Sequence, residues 1–249
     1  MSPVLQTTRL EKRFGGLIAT RALSLRIERG ARHALIGPNG AGKTTVINLI
    51  SGLLTPTSGR IEFAGKDITA LGAHQRVRLG MARSFQINQL FGDLTPIETL
   101  GLAISERRGT GAQLWRRLGH SAVVAEIAEL IERFHLTDVM TARTATLPYG
   151  KQRHLELALA IACRPRLLLL DEPAAGVPEA ERAELLGTIK ALPADVTVLL
   201  IEHDMDLVFG FADRISVLLN GALFAEGTPE EVGRDPRVKA VYLGEAFDA

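Results

Sequence analysis

Apolar and polar positions along this chain follow two different periods. Ala22-Leu23-Ser24-Leu25-Arg26-Ile27 alternates, as a strand with one face in a core does, and Arg60-Ile61-Glu62-Phe63-Ala64-Gly65 repeats the signal. Between them the apolar run Ala34-Leu35-Ile36 reads as a buried strand, and Val46-Ile47-Asn48-Leu49-Ile50 reads as helix. From about Leu90 to Arg164 the pattern is mainly helical; apolar residues at 123, 124, 127, 130, 131 and 134 recur with a helical period. Leu167–Leu170 is wholly apolar, as a parallel strand covered on both faces requires. Glu179–Lys190 is then a helix, and Val196–Ile201 and Ile215–Leu219 are further strands. Asn220-Gly221 predicts a two-residue hairpin turn. Thr228-Pro229-Glu230-Glu231 is a capping box with proline at the first helical position, and Asp235-Pro236 opens a last short helix in the same way. Buried strands alternating with helices predict an α/β class. No internal repeat or low-complexity tract is present.

The join between the first buried strand and its helix carries the strongest chemistry. Residues 37–45 read Gly-Pro-Asn-Gly-Ala-Gly-Lys-Thr-Thr, the pattern G-x-x-x-x-G-K-[ST]. Glycines at 37, 40 and 42 let the backbone fold closely around phosphate oxygens, with Pro38, Asn39 and Ala41 completing the loop. The loop's N–H groups form an anion site, and a helix starting near Gly42 adds its positive dipole end. Lys43 reaches the β- and γ-phosphates, the Thr44 hydroxyl holds Mg²⁺, and Thr45 completes the first turn. The ligand predicted is a nucleoside triphosphate.

Such a loop needs a carboxylate to support the metal and a group to activate water. Asp171-Glu172 directly follow the apolar strand Leu167–Leu170, at the edge where ligands of open α/β sheets bind. Asp171 supports Mg²⁺ through water, and Glu172 is placed as the general base.

Composition narrows the setting. The chain has 249 residues, 46% hydrophobic and 23% charged, with a net charge of +1, which argues against a nucleic-acid partner held by bulk charge. Its lone cysteine, Cys163, permits no internal disulfide or cysteine-cluster metal site and is expected as a small buried side chain. Met1–Leu10 has no apolar segment of a secretory signal, and no run approaches the roughly 18–20 apolar residues of a membrane span. The segment Ser105–Ser121 carries Arg107, Arg108, Arg116 and Arg117 around Trp115, and reads as a solvated loop or as a patch toward anionic headgroups.

With these motifs in this order, the chain resembles the ATP-binding cassette (ABC) ATPases over essentially its whole length. The resemblance implies a P-loop NTPase core with an N-terminal antiparallel β subdomain and a helical subdomain inserted at roughly 87–164, in one 1–249 domain. Phe14 stands where the family stacks an aromatic on adenine. Gln86, in Arg83-Ser84-Phe85-Gln86, matches the glutamine that senses Mg²⁺ and the γ-phosphate. His203 matches the switch histidine that contacts that phosphate. Leu147-Pro148-Tyr149-Gly150-Lys151-Gln152 stands at the signature that meets the ATP of a partner subunit. Two departures matter. Pro148 and Tyr149 replace the serine and first glycine of the usual Leu-Ser-Gly-Gly-Gln, which removes one hydroxyl contact. Pro178 stands where an aspartate is common.

The resemblance thus implies catalytic roles for Lys43, Glu172 and His203, metal contacts at Thr44, Gln86 and Asp171, and ATP with Mg²⁺ as the bound species. It implies pairing with a second ABC ATPase subunit and docking on two permeases. Leu90, Phe91 and Leu94 either line the docking groove or pack the helical subdomain. A periplasmic binding protein acts indirectly, and the location is the cytoplasmic face of the cell membrane. Phe14-Gly15-Gly16-Leu17, Asp171-Glu172-Pro173-Ala174-Ala175-Gly176, Ile201-Glu202-His203-Asp204-Met205 and Tyr242-Leu243-Gly244-Glu245 are similar to the LivG-type branch, which powers import of branched-chain amino acids. Urea, amide or lipid transport remains an alternative, as does a non-transport ABC ATPase, although the chain has no long coiled-coil insertion and no second cassette.

Overall fold

The computed structural model describes residues 3–84, 90–109 and 121–243. Contacts divide the chain into two units. One comprises Met1–Arg83, Arg166–Glu172 and Pro193–Ala249, the other Ser84–Pro165 and Pro173–Leu192.

In the first unit, β1 (Leu5–Phe14) turns at Gly15-Gly16 and pairs antiparallel with β2 (Leu17–Leu23). It also pairs antiparallel with β3 (Arg26–Ile27) and β5 (Ser58–Phe63), and β5 pairs with β6 (Lys66–Asp67). The single strand expected over Ala22–Ile27 is broken at Ser24-Leu25. There the Thr7 hydroxyl donates to Leu23 O (3.1 Å) and accepts from Leu25 N (2.9 Å), while the Thr7 N–H donates to Leu25 O (2.9 Å), so a side chain takes over part of the ladder. The inward alternation survives the break, because Leu23, Leu25 and Ile27 are all buried.

A second sheet runs in the order β11-β10-β4-β9-β8-β7. Its parallel strands are β4 (Arg32–Ile36), β7 (Met81–Arg83), β8 (Leu167–Asp171), β9 (Thr197–Ile201) and β10 (Arg214–Leu219). β8 and β9 are buried throughout, as apolar runs covered on both faces must be. Val196, expected to open the strand Val196–Ile201, instead donates to Pro193 O in the preceding turn. β11 (Ala222–Gly227) returns antiparallel across Asn220-Gly221, whose φ values of +49° and +78° are those a primed turn demands. The register opposes Asp171 to Ile201 and Leu35 to Ile201, so β4, β8 and β9 end on one edge.

Helix α1 (Lys43–Ser51) leaves that edge. Its C-terminus is tied by Arg76 of α2 (Ala73–Arg78), a fully buried side chain whose guanidinium donates to Leu49 O (2.6 Å) and Ile50 O (2.7 Å). A cation on the last carbonyls complements the helix dipole, although burial lowers the Arg76 pKa to about 10.

The second unit is helical. It holds α3 (Pro96–Arg107), α4 (Ser121–Arg133), α5 (Tyr149–Ala162) and α6 (Glu179–Lys190). Thr95 and Glu98 cap α3 reciprocally. Residues 173–192 group with these helices rather than with the sheets. Cys163 caps α5 and is exposed, not buried, because the cap residue lies beyond the last packed turn. The first unit also holds α7 (Met205–Phe211), α8 (Pro229–Arg234) and α9 (Pro236–Leu243). The capping box at Thr228 and Glu231 is formed. Among the described residues, no helix is long and apolar enough to cross a membrane.

Candidate nucleotide site

Two backbone constraints build the phosphate loop. Gly37 has φ +151° and Gly42, the N-cap of α1, has φ +101°. A Cβ on Gly37 would meet Leu218 O, and one on Gly42 would meet Ala19 O, so neighbouring backbone leaves no room for a side chain at either position. Asn39 and Gly40 are exposed, Ala41 is buried beneath them, and Thr44 is exposed in the first turn of α1. Thr45 and Pro38 are half-buried. Lys43 curls back so that its Nζ donates to Gly37 O (2.6 Å) and Pro38 O (3.1 Å). Burial lowers its pKa, while Glu172 and Asp171 oppose the shift.

Asp171 closes β8 with a side chain sealed from solvent. Its Oδ2 accepts from Arg83 Nη2 at 3.0 Å, whereas its buried Oδ1 has no hydrogen-bond partner among the described residues. Burial raises the Asp171 pKa and Arg83 opposes the rise. A buried carboxylate oxygen without a donor, with an exposed threonine hydroxyl in the first turn of α1, fits a hydrated divalent cation.

Glu172 follows with φ +48°, the left-handed region that a glutamate adopts only under constraint, and its N–H donates to Ile201 O at 2.9 Å. That bond is the last of the β8–β9 ladder; the positive φ then turns the chain out of the strand, and Glu172 is half-buried. His203 is exposed just past β9. Glu202 is buried and accepts from the backbone N–H groups of His203 (2.9 Å) and Asp204 (3.4 Å). Phe14 lies at the end of β1, 47% exposed, with Lys12 Nζ 5.1 Å from its ring centroid. Gln86 lies outside the described residues.

In the helical unit, Pro148 is the N-cap of α5 and offers no side-chain capping bond. Leu147 and Gly150 are buried. The Tyr149 hydroxyl donates to Ala175 O (3.2 Å), Lys151 Nζ donates to His135 O (2.6 Å), and Gln152 Nε2 donates to Leu147 O (2.9 Å). A Cβ on Gly150 would strike the Glu181 carboxylate. Pro178 is the N-cap of α6. Phe91 is exposed, while Leu90 and Leu94 are half-buried. Arg107 and Arg108 pair with Glu126 at 2.8 Å each, and their hydrogen bonds hold its carboxyl down at about 2. Trp115, Arg116 and Arg117 lie outside the described residues.

The structure thus gathers Lys43, Thr44, Asp171, Glu172 and His203 at the carboxyl edge of one sheet. It adds Arg83, Asn48 and Glu202, which motif reading does not assign. Arg83 and Glu202 are charged residues in or beside apolar strands, and that is their only sequence signal.

The chain matches the ABC transporter family over residues 20–175, and over residues 222–248 the family of branched-chain amino acid ATP-binding cassette transporters. It is 41% identical to BraF of Pseudomonas aeruginosa, a high-affinity branched-chain amino acid transport ATP-binding protein, covering 98% of this chain and 99% of that one. LivG of Escherichia coli K12, of the same description, is 40% identical over the same shares. A nucleotide-free ATP-binding cassette from an ABC transporter superposes with TM-score 0.82 at 30% identity, covering 98% of this chain and 100% of that one. The ADP conformation of a cassette gives the same values. Agreement of this length, on a chain whose phosphate loop and acidic pair share one sheet edge, shows that it belongs to the ABC transporter ATPases.

Proposed function

We propose that this ATPase powers a bacterial-type importer of branched-chain amino acids. The reading rests on the 41% identity to BraF across 98% of the chain, together with the family match over 222–248. Gly37–Thr45 would cradle the phosphates of ATP, and Phe14 would stack on the base. Thr44, Asp171 and Gln86 would hold Mg²⁺, which when bound neutralises charge on the phosphates. Glu172 accepts the proton of the attacking water, and the fixed turn at φ +48° presents its carboxylate. His203 donates toward the γ-phosphate, with Glu202 fixing its backbone.

A second cassette would close over the nucleotide. The N–H groups at the start of α5, near Gly150, then face the γ-phosphate of the partner's ATP. ATP bridges both faces and ADP does not, and this differential contact shifts the closed–open equilibrium. Two permeases carry the motion at the inner face of the membrane, and a periplasmic binding protein delivers the substrate to them.

Uptake of labelled leucine, isoleucine and valine in a deletion strain tests the reading. Wild-type chain restores uptake and Lys43→Ala does not. Restored uptake of urea or amides, with none of the three amino acids, overturns the substrate assignment.

A further inference from the structure

We propose that Arg83 is a positioning residue that fixes which oxygen of Asp171 faces the cation beside α1. This rests on reading Asp171 as a support of Mg²⁺.

One guanidinium spans two elements. Arg83 Nη2 donates to Asp171 Oδ2 (3.0 Å) at the end of β8, while Nη1 donates to Asn48 Oδ1 (2.6 Å) and Ser51 Oγ (3.3 Å) on α1. The side chains of Arg83 and Asp171 are 10% and 0% exposed, so the pair is largely shielded from solvent. With Oδ2 occupied, Oδ1 is the carboxylate oxygen left for a cation. A carboxylate rotates readily about χ2, and its two oxygens exchange unless one is held. The clamp also ties Asp171 to the helix that begins with Lys43 and Thr44, so the carboxylate and the threonine hydroxyl stay in register. Only a planar fork reaches both partners at once. A lysine ammonium is a point donor and would hold one.

The test uses the full chain, with a fluorescent ATP analogue titrated in EDTA and at graded Mg²⁺, and Mn²⁺ spin resonance to count bound cation. Outer-shell groups around a metal set affinity about 10- to 100-fold; Arg83 acts through a carboxylate that meets the cation by way of water, so Arg83→Met should raise the half-saturating cation concentration by the lower figure, about tenfold. Arg83→Lys should raise it less, and affinity in EDTA should stay at the wild-type value in both. An unchanged half-point overturns the proposal, as does an equal fall with and without cation, which marks a merely structural arginine. Should Arg83→Met fail to fold, Asn48→Ala keeps the ion pair but frees the fork, and about a threefold rise is expected. No rise there overturns the proposal. If wild-type chain itself shows no cation-dependent nucleotide binding, the reading of Asp171 fails rather than the clamp alone.

Discussion

His203 Nδ1 lies 3.9 Å from Glu172 Oε1, across the gap between the ends of β9 and β8. The same nitrogen is 3.6 Å from Glu202 Oε2, whose lone pairs are already engaged by two backbone N–H groups. The histidine therefore faces one carboxylate held by the turn and another directed outward, where a reacting water would meet it.

Replacing Glu172 by glutamine keeps this spacing but removes the proton acceptor. Glu172→Gln should retain ATP binding and lose about 100-fold or more of hydrolysis, the range for a general base. ATP then holds two cassettes together, seen as a larger species by light scattering. Near wild-type turnover would reject the role of Glu172.

Lys43 donates to two loop carbonyls, so Lys43→Ala removes an internal brace of the loop as well as the phosphate contact proposed for it. A charge-assisted bond of about 2 kcal/mol corresponds to more than tenfold in affinity. Titration with a fluorescent ATP analogue should show that loss, and an unchanged dissociation constant would mean the loop does not hold phosphate.

The half-exposed ring of Phe14 has surface to offer a base. Phe14→Ala should weaken ATP and GTP binding alike, by about 1–3 kcal/mol, since stacking tolerates any purine. Full affinity for both in the mutant would reduce Phe14 to a strand-end side chain.

Pro148 caps α5 without a side-chain acceptor. In Pro148→Ser the hydroxyl can cap the helix, worth about 1 kcal/mol, or meet the γ-phosphate across the closed dimer. Part of the gain is lost because serine does not fix φ. Combined with Glu172→Gln, the change should lower the ATP concentration giving half-maximal dimer by sedimentation. An equal or higher half-point would leave the proline as a helix starter and nothing more.

His33 is buried under β10 and β11, where its Nε2 is 2.8 Å from Ser216 Oγ, which in turn donates to Glu226 at 2.8 Å. Burial lowers its pKa to about 4, against a weaker pull upward from Glu226. The folded state therefore favours neutral imidazole. This stability is fully present above the unfolded value near 6.5 and drains as pH falls toward 4, by about 3 kcal/mol. Urea midpoints at pH 7 and pH 5 should diverge in wild type and draw together in His33→Gln. Equal divergence in both would place the acid sensitivity elsewhere.

Much of the site is legible because its chemistry is written in consecutive residues. The loop 37–45, the pair Asp171-Glu172, the turn at Asn220-Gly221 and the box Thr228–Glu231 each declare a local backbone shape, and local sterics and hydrogen bonding enforce it wherever the segment lies. Helical and strand periods work the same way, which is why the apolar positions 123, 124, 127, 130 and 131 fall within one helix, α4. Cys163 departs from the expected burial because an apolar neighbourhood in sequence is not burial: one residue past the last packed turn, the side chain meets water.

What lay beyond the sequence are relationships across the chain. Arg83 meets Asp171 at a separation of 88 residues, and His33 meets Ser216 at 183. The order β11-β10-β4-β9-β8-β7 and the break between β2 and β3 at Ser24-Leu25 belong with them. Periodicity states which face of an element is buried but not what covers it. Only the packed sheet decides which strand lies beside which, and so which buried charge must find its partner where.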